Sequence, residues 1–146
     1  MTWRTAEGAF LVGGRCSSAG HRAFYTALDP APAIVEVGVH KGFHTLDTVP
    51  HMLLQIKISD PALVHIVRVA SIPDPEWLRL GTLSAGQQAF GDKLLGAHPL
   101  VFIPRVVSIY SWNLLIDANA ASGAFKLHNS EAFALDPRLN TAAGSA

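Results

Sequence analysis

The sequence predicts an α+β domain with a mixed β-sheet. Strand-like runs rich in β-branched residues interleave with helix-like segments, but without the regular strand–helix–strand period of a doubly wound fold. No internal repeat, phosphate-binding P-loop or GxGxxG dinucleotide fingerprint is present. At 146 residues, the chain has the length of one domain that can bury a core. We therefore expect a single domain.

The composition is that of a compact globular protein. Apolar residues make up 49% of the chain and charged residues 15%, which favours a folded, partner-binding domain over disorder. Eleven basic residues balance eleven acidic ones, and their scatter argues against direct binding of nucleic acid. No apolar run approaches the roughly 20 residues that span a bilayer, and no leader is recognisable. We expect a cytoplasmic protein with no membrane association.

The N-terminal segment is predicted to be extended. Trp3 and Arg4 stand where a first strand would begin, and the apolar run Ala9–Val12 follows. This run ends at Gly13 and Gly14. Two glycines allow a positive φ and a close backbone approach, as at a turn that faces a ligand.

A strand and a helix are predicted next. After a polar turn, Ala23–Ala27 is expected to form a short strand that carries Tyr25. Asp29 followed by Pro30 is typical of an N-cap with proline at the first helical position. The sequence therefore predicts a helix from about Pro30 to about Lys41.

Glu36 and His40 share a face of this predicted helix, because they are four residues apart. Most other side chains of the helix are apolar, which predicts that the helix is buried. A buried carboxylate is costly without partners. Either Glu36 pairs structurally with Arg4 or Arg15, or it lines a polar cleft.

The remaining elements follow from β-branched runs, from a further Asp–Pro cap signal and from helical spacing of apolar residues. The predicted strands are Met52–Ile58, Leu63–Ile72, Leu100–Pro104, Trp112–Asp117 and an edge strand Ala124–Leu127, and the predicted helices are Pro73–Leu80 and Ser84–Leu95. The small, polar tail from Asn140 to Ala146 is expected to fray.

Three side chains between Val12 and His40 suit an anionic ligand that carries a sugar. Arg15 could hold a phosphate or pyrophosphate through paired hydrogen bonds. Tyr25 could bond a ribose hydroxyl or stack on a ring. Glu36 could bond ribose hydroxyls or stabilise an oxocarbenium-like centre. If the three converge, the ligand is a nucleotide with a scissile sugar linkage. The alternative is a structural arginine–glutamate pair and a core tyrosine.

Several short motifs, taken in order, resemble one known family. They read Trp-Arg at the start, then GGRCSSAG, FYTA, AIVEVGVH, IPRVVSIYSWNLLID and FALDPRL. Together they are similar to the RES family of bacterial toxins over residues 1–139, with residues 140–146 left as a flexible tail. The resemblance implies a fold like that of ADP-ribosyltransferases, with strongly bent mixed sheets flanked by short helices.

The resemblance also implies a function. RES toxins consume NAD and are paired with an Xre-type helix-turn-helix antitoxin. We expect NAD as the substrate, cleavage of its nicotinamide–ribose bond and transfer of ADP-ribose to a host protein. Phosphorolysis or hydrolysis of NAD is the alternative, and a RES-like module that has lost catalysis and only binds its antitoxin is a further one. The antitoxin is expected to cover the active-site cleft, and the toxin to self-associate in the complex.

Roles for individual residues follow from the same resemblance. Glu36 would be the catalytic carboxylate, acting with Arg15 and Tyr25. Arg4 and Arg15 would bind the pyrophosphate or position the nicotinamide half, and Tyr25 would contact the nicotinamide ribose. His40 would have a supporting place on the face of Glu36.

The sequence departs from the family pattern at two positions. Cys16 stands where a tryptophan is usual, and we expect either an incidental small residue or a nucleophile activated by the neighbouring arginine. Arg105 stands where the family has a ligand-binding serine. Arg105 could bind phosphate or an acceptor protein instead, and Ser108 could replace the missing serine. These departures make transfer to a macromolecule the leading expectation.

No metal site is expected. A single cysteine excludes a cysteine-based zinc cage. The histidines show neither HxH nor HExxH spacing.

Overall fold

The computed structural model describes residues 3–73, 85–105 and 110–140. These fall into two compact units, the first formed by Met1–Leu28 with Ser59–Phe125 and the second by Asp29–Ile58 with Lys126–Ala146. Both helices and strands are present, which confirms the α+β class. None of the helices in the described ranges is long and apolar enough to span a membrane.

Four helices and six strands form the regular structure of the described residues. In chain order they are α1 (Glu7–Val12), β1 (Ala23–Ala27), α2 (Pro30–Lys41), α3 (Phe43–Thr48), β2 (His51–Ile58), β3 (Val64–Ile66), α4 (Ala85–Ala97), β4 (Leu100–Pro104), β5 (Trp112–Asp117) and β6 (Phe125–Phe133).

The first unit is organised around a four-stranded sheet of order β1-β5-β4-β3. β3 runs parallel to β4, while β5 is antiparallel to both β4 and β1. The sheet is therefore mixed, as predicted. Its register places Tyr25 opposite Leu115 and Leu115 opposite Val101. Leu115 and Val101 have no exposed surface, and they pack with Leu95 of α4 in the hydrophobic core.

The predicted N-terminal strand is wrong. Trp3–Thr5 forms a 3-10 turn and the following apolar run lies in α1. An apolar run of four residues does not distinguish a strand from a helix by periodicity, so the contacts of the segment decide. Arg22, which directly precedes β1, donates to the Thr5 carbonyl oxygen at 2.6 Å and to the Glu7 carboxylate at 2.7 Å. Its guanidinium also lies 4.2 Å from the centre of the Phe10 ring.

Helix α2 of the second unit has the predicted bounds and cap. The Asp29 side chain accepts a hydrogen bond from the Ala31 amide, and Pro30 takes the first helical position. The prediction that this helix is buried is wrong, because Val39 is 65% exposed and Gly38 alone of its residues is buried. Gly38 allows close packing on α3, since a Cβ there would lie 2.4 Å from the Phe43 ring.

The later elements match the predictions in type but differ in length. The predicted strand Leu63–Ile72 is divided into β3 and a 3-10 turn at Val69–Ser71. Strand β6 is longer than the predicted edge strand, and it forms a two-stranded sheet with β2 in the second unit. The helix predicted at Pro73–Leu80 falls almost wholly outside the described residues, as does the tail beyond Asn140. Asn140 itself is buried and donates to Asp47 at 2.9 Å.

Candidate functional site

The two glycines before Arg15 form a tight turn that receives the Tyr25 side chain. Gly13 has φ 77°, a left-handed conformation that favours glycine. The Gly14 amide donates to the Ser17 carbonyl oxygen at 2.8 Å and closes the turn. A Cβ on Gly14 would lie 2.4 Å from the Tyr25 hydroxyl oxygen. The close approach predicted for the glycines is therefore an approach to Tyr25.

The Tyr25 hydroxyl is held by hydrogen bonds from this turn. The Cys16 amide donates to it at 3.2 Å, and the Ser17 hydroxyl lies 2.7 Å away. Ser17 is fully buried, whereas Tyr25 is 40% exposed. The hydroxyl end is therefore enclosed while part of the ring stays open to a ligand.

Burial of its hydroxyl end raises the pKa of Tyr25 from 10.0 to about 12. The hydrogen bond with Ser17 opposes this shift, and the negative charge of Asp92 adds to it. Near neutral pH the phenol keeps its proton. Tyr25 can therefore donate or accept a hydrogen bond but carries no charge that would repel a phosphate.

This pKa predicts a loss of stability in alkali. Between the unfolded value of 10.0 and the folded value of about 12, the folded protein holds a proton that the unfolded chain has lost. The stabilisation that this proton provides is therefore fully present below pH 10 and is lost as the pH rises to about 12. Urea unfolding measured across this range should give a steeper fall for the wild type than for Tyr25→Phe. Equal slopes would contradict the assignment.

The three predicted arginines of the first unit differ in exposure. Arg15 is half-buried in the turn, and Arg4 is exposed with its guanidinium 5.2 Å from the centre of the Trp3 ring. Arg105 is 2% exposed at the end of β4, and its amide donates to the Ser111 carbonyl oxygen at 2.8 Å. A side chain buried to this degree is not an open surface cation. Ser108 lies outside the described residues.

Glu36 and His40 are brought together in the second unit. His40 Nε2 lies 3.4 Å from Glu36 Oε2, across one turn of α2. The Glu36 side chain is 30% exposed and that of His40 is 67% exposed. The predicted shared face is therefore confirmed, and the carboxylate remains accessible to solvent.

The predicted residues thus form two groups. Arg15 and Tyr25 belong to one turn and its neighbouring strand in the first unit, and Glu36 and His40 belong to one helix in the second. Cys16 lies in the hydrophobic core at 6% exposure, which favours a packing role over a nucleophilic one. No cluster of three or more possible metal ligands occurs among residues 3–73, 85–105 and 110–140.

Sequence reasoning missed the residues that hold the turn in place. Ser17 bonds Tyr25, while Gln88 and Asp92 of α4 bond the backbone of the turn. Their spacing could have indicated this role. Gln88, Gly91 and Asp92 are three and four residues apart, so they lie on one side of a helix, beside residues that pack in the core.

Comparisons with known proteins give two matches of note. The family model described as the RES domain matches residues 1–136. The fold is similar to a chain in the crystal structure of the M. tuberculosis MbcT–MbcA toxin–antitoxin complex. That match has a TM-score of 0.69 and 21% sequence identity, and it covers 88% of this chain and 76% of that chain. No curated protein gives a significant sequence match.

Proposed function

The chain belongs to the RES domain family, and we propose that it is the toxin of a toxin–antitoxin module that cleaves the nicotinamide–ribose bond of NAD. RES domain toxins are in general NAD-processing enzymes. The fold is shared with a chain of a toxin–antitoxin complex. The family supports an activity on NAD, and the shared fold supports a role as a toxin.

The observation that carries the proposal is that Tyr25 of β1 packs its hydroxyl against the turn that carries Arg15. The Tyr25 hydroxyl fits into the space left by Gly14, and the next residue along the turn is Arg15. An arginine can bind a pyrophosphate, and a neutral phenol that packs against the same turn can bond a ribose hydroxyl, so the pair suits a ribose–phosphate linkage. In this proposal Arg4 and Arg15 bind the pyrophosphate, and Tyr25 contacts the nicotinamide ribose.

Glu36 is the proposed catalytic carboxylate. When the bond from the ribose carbon to the nicotinamide nitrogen breaks, nicotinamide leaves with the electron pair and positive charge develops on the sugar. A carboxylate lowers the energy of that charge only if it is present at the reacting centre as an anion. The side chain of Glu36 is 30% exposed and contacts His40, so a ligand can reach the carboxylate. His40 is proposed to orient this carboxylate.

The acceptor that attacks the ribose carbon and then loses its proton can be a protein side chain, phosphate or water. Transfer of ADP-ribose to a host protein is the expectation from the sequence. The burial of Arg105 favours the second candidate, phosphorolysis or hydrolysis, because a side chain 2% exposed does not offer its charge to an acceptor protein. We propose that Arg105, which is buried at the end of β4, does not contact the ligand directly, and that Ser108 takes the place of the family's serine.

The partner is proposed to be an antitoxin of the Xre type that covers the NAD site in the cytoplasm. The structural neighbour, MbcT–MbcA, is a complex of a toxin with an antitoxin, which supports a partner of this kind. Self-association within the complex is part of the proposal, because the chain is 49% apolar.

Labelled NAD distinguishes the acceptors. Purified toxin is incubated with NAD labelled in the adenylate moiety, with and without phosphate and with and without bacterial lysate. Label on a protein band indicates ADP-ribosyl transfer, free ADP-ribose indicates hydrolysis, and its 1″-phosphate indicates phosphorolysis. We expect one of these products and an equal amount of nicotinamide. Unchanged NAD in every condition would contradict the proposal and favour a RES-like module that only binds its antitoxin.

A further inference from the structure

One side of α4 lies against the turn that carries Arg15. Gln88 Nε2 donates to the Gly14 carbonyl oxygen at 2.9 Å. A Cβ on Gly91 would lie 1.8 Å from the Cys16 carbonyl oxygen, so the backbones of helix and turn are in direct contact. The helix therefore fixes the residues on both sides of Arg15.

Asp92 fixes the next part of the same turn. The Ser18 amide donates to Asp92 Oδ1 at 3.0 Å, and the Ser18 hydroxyl donates to Oδ2 at 2.5 Å. His21 Nε2 lies 3.6 Å from Oδ1. The Asp92 side chain is 22% exposed. Hydrogen bonds to a carboxylate are roughly twice as strong as neutral ones, so Asp92 holds the turn more strongly than the neutral hydrogen bond from Gln88 does.

These groups do not form a nucleophilic triad. In such a triad the serine hydroxyl donates to the imidazole, and the carboxylate holds the other side of the ring. Here the Ser18 hydroxyl donates to Asp92 itself. The carboxylate therefore restrains the serine, which suits a structural restraint on the turn.

We infer that Asp92 is a positioning residue for Arg15. It holds the Ser18 end of the turn while Gln88 and Gly91 hold the peptide groups that flank Arg15, so that the guanidinium is kept where it meets the anionic part of the ligand. The inference rests on the proposed function, because that proposal makes Arg15 the anion-binding group.

The test uses the full-length chain and two independent readouts. Steady-state kinetics gives KM and kcat for NAD, and alkylation measures access to Cys16, the single cysteine of the chain, which is 6% exposed in the turn. Cys16 should be alkylated about tenfold faster in Asp92→Ala than in the wild type. The loss of hydrogen bonds to a charged group raises the population of locally open turns by about that factor. The KM of this variant should rise about tenfold with kcat within about twofold, as for lost anchoring of the substrate.

Three further variants complete the design. Asp92→Asn keeps polar atoms at both positions that meet Ser18 and should restore most of the labelling protection and KM. Lys93→Ala, at an exposed position of the same helix, should match the wild type. Ser18→Ala removes the hydroxyl alone, so its labelling rate and KM should lie between those of the wild type and Asp92→Ala. This variant keeps the inference testable if Asp92→Ala does not fold.

Two results would overturn the inference. Unchanged Cys16 labelling in Asp92→Ala and Ser18→Ala would show that the carboxylate does not hold the turn. Faster labelling with an unchanged KM would show that the turn is held but that its position does not matter to the ligand. A wild type that leaves NAD intact contradicts the proposed function and removes the ligand part of the inference, while the labelling rates still decide whether Asp92 holds the turn.

Discussion

Glu36→Gln is expected to lower NAD turnover by about a hundred- to a thousandfold, the usual effect of removing one group that stabilises charge in a transition state. Glutamine has nearly the same shape and keeps a polar contact with His40, but it is neutral. The helix should be preserved, because the cap at Asp29 and the packing at Gly38 do not involve this side chain. Turnover is measured as nicotinamide released by the purified variants, and growth inhibition is measured on induction in cells.

Glu131→Gln is the matched control for this prediction. Glu131 is an exposed glutamate on β6 of the same unit, so the substitution makes the same change of charge on a different element. The control should retain wild-type turnover and growth inhibition. Retained turnover in Glu36→Gln, with an unchanged circular dichroism spectrum, would remove Glu36 from the catalytic assignment.

Gly91→Ala is expected to destabilise the protein by about 3 kcal/mol, the upper part of the usual range for overpacking. The added Cβ would lie 1.8 Å from the Cys16 carbonyl oxygen and 2.6 Å from its carbon, both in the backbone. Neither atom can rotate away as a side chain can, so α4 and the turn must separate. Urea unfolding measures the loss, and the displaced turn should also lose NAD turnover.

Gly96→Ala tests the same substitution on the same helix. Apart from the neighbouring backbone of the helix itself, no atom of the described residues lies within 4 Å of a Cβ at Gly96. Alanine in a helix interior is more stable than glycine by about 0.5–1 kcal/mol, so this variant should be neutral or slightly more stable. A similar loss of stability in both variants would show that the cost of Gly91→Ala does not come from contact with Cys16.

Local signals in the sequence were sufficient for several elements. Helix α2 begins and ends where the Asp29 cap and the apolar pattern predict, because capping depends on a few neighbouring atoms. Strand β1 likewise has its predicted bounds. Burial of α2 was not predictable in this way. It depends on what packs against the helix, and apolar side chains alone do not specify that.

The N-terminal segment shows why other predictions failed. Its apolar run fits a helix and a strand equally well, and the choice depends on Arg22, which lies far along the chain and bonds Thr5 and Glu7. The same limit applies to the candidate site. The sequence marks Arg15 and Tyr25 by type, but the space at Gly14 that accepts the phenol is visible only in three dimensions.

Arg105 is the clearest case in which a chemical expectation needed the structure. As a cation in place of a serine, it suggested an added binding group for phosphate or protein. Its 2% exposure indicates a buried side chain, whose contacts are set by the interior of the first unit. Composition and spacing report which charges a chain carries, and tertiary packing decides which of them reach a ligand.

We propose that this chain breaks the nicotinamide–ribose bond of NAD. The most direct measurement is mass spectrometry of NAD after incubation with purified wild-type protein freed of any partner. We predict that nicotinamide accumulates in step with the loss of NAD and that Glu36→Gln suppresses both. Intact NAD after prolonged incubation, in the presence of phosphate and of lysate, would contradict the claim.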